Sequence, residues 1–147
     1  MSPAPRPVFV AEPPAAYLPR PPMVVDCSAL SAVLFDEPAR DEALARLAGR
    51  SLMAPGLLDH EIVSVALKKR RQGWPEHSLA QALADYEAHD IELHPIDLAG
   101  QYALAARYEL SAHDAAYLWL AAELRAPLAT FDQRLAAAAQ AHLSTLP

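Results

Sequence analysis

Short apolar runs alternate with longer segments of helical periodicity from residue 23 to the end of the chain. Short apolar runs predict strands at 23–25, 51–54, 91–94 and 127–129, with a last short strand at 142–145. Apolar positions three and four residues apart predict helices at 28–35, 40–48, 56–71, 78–89, 96–108, 112–125 and 131–140. Strands separated by helices favour parallel pairing, so we expect an α/β three-layer sandwich in which helices flank a short parallel sheet.

The first 22 residues differ in composition from the rest of the chain. They contain eight of the fourteen prolines and show neither helical nor strand periodicity. Such a segment favours extended or polyproline II conformations. We therefore predict a proline-rich N-terminal extension at 1–22 and one domain at 23–147, a length typical of a single core.

Composition and charge narrow the class of protein. Hydrophobic residues make up 53% of the chain and charged residues 20%, which indicates a folded domain rather than a disordered one. The single Cys27 excludes an intramolecular disulfide, and no apolar run is long enough for a signal peptide or a membrane span. We expect a cytoplasmic protein without a membrane partner.

The net charge of −6 argues against a broad basic surface for nucleic acid. A cluster of acids that holds divalent cations would explain an acidic chain with a positively charged site.

Four acidic residues occupy positions where a parallel sheet would bring them together. Asp26 directly follows the first predicted strand, and Asp132 closely follows the predicted strand at 127–129. Ligands of open parallel sheets bind beyond the carboxyl ends of the strands. Glu61 and Asp114 lie near the starts of the helices at 56–71 and 112–125, beside their apolar stripes. The pattern predicts four carboxylates at one edge of the sheet.

Helix capping is the competing explanation for these acids. Ser111 to Asp114 has capping-box spacing, and Thr130 to Gln133 offers a second cap with Asp132 in the first turn. Capping does not account for Asp26 in this interpretation. Four carboxylates in one cleft repel each other unless hard cations neutralise them, and all-oxygen ligands suit Mg²⁺ or Mn²⁺.

Three segments of the chain resemble a known family. They are MVVDCSALSAVLFDEP from residue 23, APGLLDHEIVSVALKKRRQG from residue 54 and LSAHDAAYLWLAAELRAPLATFDQRLAAAA from residue 110. Together they resemble the PIN-domain nucleases, especially the VapC-like toxins of type II toxin-antitoxin systems, over about residues 23 to 146.

The resemblance implies both an activity and a site. The acidic positions of the family fall, in order, on Asp26, Glu61, Asp114 and Asp132. Ser28 and Thr130 match hydroxyl positions that support the acids or a bound water, while Cys27 stands where the family often has threonine or serine. The implied activity is a Mg²⁺- or Mn²⁺-dependent endoribonuclease that hydrolyses RNA phosphodiester bonds, with the four acids as metal ligands and catalytic groups.

Basic residues that could contact substrate are few. The only charge run comprises Lys68, Lys69, Arg70 and Arg71, and Arg134 is a second, weaker candidate. The alternative for the run is that cations at a helix C-terminus complement its dipole and stay solvated. His113 is interpreted as structural, and Tyr117 and Trp119 as core or interface residues rather than base-stacking platforms.

The resemblance to toxins also implies partners: an RNA substrate, a second copy in a homodimer, and a cognate antitoxin that covers the groove. Apolar residues of the first helix either line that groove or form core; they are Leu30, Val33, Leu34 and Phe35. Two alternatives stay open, namely an RNA-processing PIN nuclease that is not a toxin and an inactive PIN-like module for binding or scaffolding. The RNA target, the number and kind of metal ions and the antitoxin's identity do not follow from the sequence.

Overall fold

The computed structural model describes residues 20–147, in which four strands and seven helices alternate. In chain order they are β1 (Pro22–Val25), α1 (Cys27–Leu34), α2 (Arg40–Leu47), β2 (Ser51–Pro55), α3 (Leu57–Arg71), α4 (Glu76–Ala88), β3 (Glu92–His94), α5 (Leu98–Tyr108), α6 (Ala112–Leu124), β4 (Leu128–Ala129) and α7 (Gln133–Leu143). All four main strands and all seven helices that the sequence predicts are confirmed. The predicted extension at 1–22 lies outside the described residues except for its last three.

The predicted last strand at 142–145 is wrong. Helix α7 runs on to Leu143, and the chain then turns with the Thr145 amide donating to the His142 carbonyl. The alanine-rich segment before residue 142 is a strong helix former, so the helix extends past the predicted end.

The sheet is parallel throughout and has the strand order β3-β2-β1-β4. Strand β1 is central, pairing with β2 on one side and β4 on the other, and Val24 and Val25 are fully buried in it. The chain adds β2 and β3 on one side of β1 and returns to add β4 on the other. The order therefore reverses beside β1, and ligands of open α/β sheets bind at such a switch point.

Helices cover both faces of this sheet, which confirms the predicted three-layer sandwich. On one face α6 packs against β1 and β2, with α5 and α7 beside it. Its residues from Ala115 to Leu118 are buried, which explains the apolar run there. None of the helices within residues 20–147 has the length and hydropathy of a membrane crossing.

The second helical layer is built around α1, which contacts α2, α3 and α4. Leu30, Val33 and Phe35 are buried there and belong to the core, whereas Leu34 is only half-buried. Phe35 also meets Trp74 edge-on, with ring centroids 6.0 Å apart. Most of the apolar face of α1 is thus used within the domain.

Candidate active site

Asp26 occupies the end of the central strand and the start of α1. Its carboxylate is 5% exposed, and Oδ1 accepts the Ala29 amide at 3.0 Å, which makes Asp26 the N-cap of the helix. The expectation that capping does not account for Asp26 is therefore wrong. Asp26 alone connects β1 to α1. The acid that follows the strand is therefore also the residue that accepts a backbone N–H of the first turn of the helix.

Two hydroxyl groups hold the same carboxylate. Ser28 Oγ donates to Asp26 Oδ1 at 2.7 Å, and Thr130 Oγ1 donates to Asp26 Oδ2 at 2.5 Å. Thr130 follows β4, so its bond links the ends of two adjacent strands. The structure thus brings both predicted supporting residues onto Asp26.

Asp132 lies at the same edge, at the start of α7. Its Oδ1 accepts the Leu135 amide at 2.9 Å, and its own amide donates to Thr130 Oγ1 at 3.0 Å. The sequence predicts Asp132 in the first turn of α7. This is wrong, because Asp132 is the N-cap of that helix. The difference arises because the chain bends at Phe131 after β4, so the helix begins only at Gln133.

Glu61 extends from α3 towards α6. Tyr117 donates its hydroxyl to Glu61 Oε1 at 2.5 Å, and the His113 ring nitrogen Nδ1 is 3.9 Å from Oε2. Tyr117 is fully buried, so its hydroxyl is held by the core of the domain. Glu61 therefore has a fixed orientation at the margin of the interior.

Asp114 lies in the first turn of α6. Its amide donates to Ser111 Oγ at 3.1 Å, so the predicted N-cap at Ser111 is confirmed. The Asp114 side chain is partly buried, and it follows His113 on the same helix, α6. The cap satisfies the backbone of the helix. Burial raises the pKa of the Asp114 carboxylate, and a hydrogen bond with the Ser111 side chain opposes that rise.

The four carboxylates influence one another electrostatically. Burial raises the pKa of Asp26, and the charge of Asp132 adds to the rise, while hydrogen bonds from Thr130, Ala29 and Ser28 oppose it. Burial also raises the pKa of Glu61, with Asp26 and Asp114 adding to the rise and the Tyr117 hydroxyl and His113 opposing it. For Asp114, burial raises the pKa and the charges of Asp132 and Asp26 add to it. Every member of the set is thus coupled to at least one other.

The positive charge that would balance these acids is scarce. Within residues 20–147 none of the four carboxylates forms an ion pair with lysine or arginine, and the only base within ion-pair distance of any of them is His113, whose Nδ1 is 3.9 Å from Glu61 Oε2. Acids with raised pKa and no protein cation are the pattern of a functional cleft. Their donor atoms are all oxygens, the kind that Mg²⁺ and Mn²⁺ prefer.

The arrangement is not a preassembled metal site, however. In the part of the chain that the structure describes, no group of three histidine, cysteine, aspartate or glutamate side chains is close enough to hold an ion. The chemistry of the four acids fits a hard divalent cation, and their coupling shows that they share one region.

The four basic residues at the end of α3 fall into two pairs with different surroundings. Lys68 and Lys69 border a cavity of about 590 Å³ that reaches Ser28 and Phe131 beside the acids. Lys69 also lies 3.9 Å from Glu37 and 5.4 Å from the Trp74 ring centroid.

The other predicted basic contacts lie elsewhere. Arg70 pairs with Glu76 at 2.6 Å, and Arg71 is exposed at the end of the helix. Arg134 is exposed in the first turn of α7, two positions after Asp132.

Three residues near the acids were not predicted as part of the site. Tyr117 was assigned to core or interface, His113 to structure, and Phe131 to the last helix. A signal for the first two was present, because His113, Asp114 and Tyr117 are spaced to share one side of α6. Phe131 carries the weaker signal of lying between Thr130 and Asp132.

Comparison with known proteins agrees with this geometry. The family model described as PIN domain matches residues 23–141. No curated protein matches the sequence significantly. Among solved structures, the crystal structure of PAE2754 from Pyrobaculum aerophilum has 20% sequence identity and a TM-score of 0.61, with 85% of this chain and 88% of that chain covered. The structural likeness concerns the fold.

Proposed function

Since the chain belongs to the PIN domain family, whose members are generally metal-dependent nucleases, we propose that it is a ribonuclease that uses Mg²⁺ or Mn²⁺. The proposed catalytic groups and metal ligands are Asp26, Glu61, Asp114 and Asp132. RNA is the proposed substrate, cut by hydrolysis of internal phosphodiester bonds.

The observation that carries this proposal is the set of coupled carboxylates at the switch point of the sheet. Three of the four have a raised pKa, caused by burial and by the charge of the others. Asp26 is buried, Glu61 and Asp114 are half-buried and Asp132 is exposed. Taking three acids wholly or partly out of water without a lysine or arginine partner costs stability, so the arrangement calls for a function. Binding a divalent cation is the function that removes this repulsion.

The residues of the site have different proposed roles. Ser28 and Thr130 hold the Asp26 carboxylate by donating to one oxygen each. Tyr117 fixes Glu61, which is then a metal ligand or orients the attacking water. When bound, the cation would lower the pKa of water and neutralise charge that develops on the phosphate.

Substrate binding by an acidic chain needs local positive charge. Lys68 and Lys69 supply it along the cavity that leads to Ser28, so an RNA backbone would have cations beside the acids. The net charge of −6 describes the whole chain and includes the four carboxylates that a cation would neutralise. A locally basic path is therefore compatible with the acidic total.

The test is a cleavage assay with purified full-length protein and end-labelled structured RNAs in Mg²⁺, Mn²⁺ or EDTA. Asp114→Asn removes one proposed ligand and should abolish cleavage. Asp41→Asn is the matched control, because Asp41 is also an acid in the first turn of a helix but is fully exposed on α2. Cleavage that needs the cation, survives Asp41→Asn and is lost with Asp114→Asn supports the proposal. Equal cleavage by wild type and Asp114→Asn would contradict it.

We further propose that the protein is the toxin of a toxin-antitoxin pair and forms a homodimer. The resemblance of its motifs to VapC-like toxins supports the first. Leu98 and Tyr102 support the second, because both are large apolar side chains more than three quarters exposed on one side of α5. Induced expression should stop growth of a bacterial host with wild type but not Asp114→Asn, and co-expression of an adjacent antitoxin gene should restore it. Light scattering at the monomer mass would exclude the dimer.

A further inference from the structure

Phe131 is an exposed aromatic residue in the middle of the candidate site. Its side chain is 40% exposed, although Thr130 before it and Asp132 after it are both bonded into the acid cluster. The Phe131 amide donates to Ser28 Oγ at 2.9 Å. Position 131 is thus held by its backbone. The structure of the domain therefore needs an apolar residue at this position but not specifically an aromatic ring.

Phe131 belongs to the lining of two cavities that contain basic residues. One is the cavity of about 590 Å³ with Lys68 and Lys69. The other is a cavity of about 410 Å³ bordered by Arg46 and Arg50. Phe131 borders both cavities, and each also has one glutamate at its edge, Glu37 in the first and Glu42 in the second.

Cations in both cavities beside an exposed aromatic residue match the way in which proteins hold single-stranded nucleic acid. Basic groups follow the phosphates, and an aromatic ring stacks on a base without requiring a particular sequence. Unpaired RNA bases are the usual target of such rings. In the described part of the chain Phe131 forms no pair with another aromatic ring.

We propose that Phe131 is the stacking platform for an unpaired base of single-stranded RNA, with the strand passing between the Lys68-Lys69 cavity and the Arg46-Arg50 cavity. The proposal rests on the proposed ribonuclease function and deepens it. It makes Phe131 a substrate-binding residue that selects single-stranded over paired RNA at the cut site.

The test measures binding rather than cleavage. The Asp114→Asn background keeps RNA intact, and short single-stranded RNAs carry one 2-aminopurine at successive positions, since stacking quenches its fluorescence. Phe131→Leu removes the aromatic ring and keeps the position apolar, whereas Phe131→Tyr keeps the ring. With Leu, we expect the quench to vanish and binding to weaken about five- to a hundredfold, as for one base on an aromatic ring. Phe131→Tyr should retain both the fluorescence quench and the affinity for RNA.

The salt dependence of RNA binding distinguishes base stacking from contacts between basic residues and phosphates. Phe131→Leu should leave the slope of log K against log salt unchanged, because no phosphate contact is lost. Lys68→Gln should reduce that slope by about 0.7, the value for one phosphate of a single strand. A slope that falls with Phe131→Leu would overturn the proposal.

Other outcomes are equally decisive. A Phe131→Leu protein that binds and quenches like its parent overturns stacking, and cleavage by the wild-type chain would still support the nuclease. Failure of Phe131→Tyr to retain the quench would show that the ring's role is structural and overturn the proposal. If the chain neither binds nor cuts any RNA, both proposals fail. If Phe131→Leu binds RNA normally but escapes a protein inhibitor, the ring belongs to a protein interface.

Discussion

Replacement of Tyr117 by phenylalanine isolates one hydrogen bond of the candidate site. The Tyr117 hydroxyl donates to Glu61 Oε1 at 2.5 Å across 56 residues of sequence, and its ring is buried in the core. Phenylalanine has the same shape, so Tyr117→Phe leaves no cavity and removes only the donor. Glu61 then stays at the margin of the core with one partner fewer.

The expected loss of stability follows from the kind of bond. A hydrogen bond to a charged group contributes about 1.5–3 kcal/mol. The Glu61 side chain is 25% exposed, so water replaces part of the lost bond and the lower half of this range applies. We expect the free energy of unfolding to fall by about 1.5–2 kcal/mol at pH 7, which lowers the melting temperature by about 3–8 °C at about 2–4 °C per kcal/mol for a domain of this length.

The effect should depend on pH in a defined direction. Burial raises the pKa of Glu61 above its ordinary value, and the Tyr117 hydroxyl opposes that rise. The folded chain therefore binds the Glu61 proton more readily than the unfolded chain, and the free energy of unfolding falls as pH rises between the two pKa values. Tyr117→Phe should deepen this fall, so wild type and variant differ most at neutral pH and approach each other in acid. The acidic limb of the cleavage profile should move to higher pH.

Thermal denaturation from acid to neutral pH, with cleavage measured in the same buffers, checks this reasoning. Tyr86→Phe is the matched control, since Tyr86 donates to Asp59 at 2.6 Å and Asp59 is an exposed acid outside the proposed site. It should change stability by less than about 1 kcal/mol and leave the cleavage profile in place. Equal effects of the two variants, or a Tyr117→Phe profile that does not move, would refute the role given to Tyr117.

Further predictions concern charge, packing and substrate. Burial raises the pKa of Asp114, so the charged carboxylate lowers the free energy of unfolding when the pH is above the ordinary pKa of aspartate. Asp114→Asn should therefore raise the melting temperature at pH 7 in EDTA. Mg²⁺ should stabilise the wild type more than this variant. A Cβ at Gly100 would clash with the Trp119 ring, so Gly100→Ala should lower the free energy of unfolding by about 1–3 kcal/mol in denaturant titrations. Gly56→Ala has open space and should be nearly neutral. Lys68→Gln should raise the KM for RNA and leave kcat nearly unchanged.

The order and type of the elements were predictable because each carries its own periodicity. Helix α6 shows this, since its apolar run is long and is bounded by the Ser111 cap that the structure confirms. The end of α7 was not predictable in the same way. Residues 142–145 contain no strong signal, and the continuing helix decided their conformation.

The sequence by itself determined which acids follow strands and which lie near helix starts, and from this it predicts that they gather at one edge of a parallel sheet. Their gathering into one metal site and their catalytic role stay predictions. Only the tertiary structure decided that Asp26 caps α1, that Tyr117 reaches Glu61, and that Phe131 is exposed and borders two cavities with basic residues. Periodicity is a property of neighbouring residues, whereas these contacts join distant segments and depend on how the helices pack.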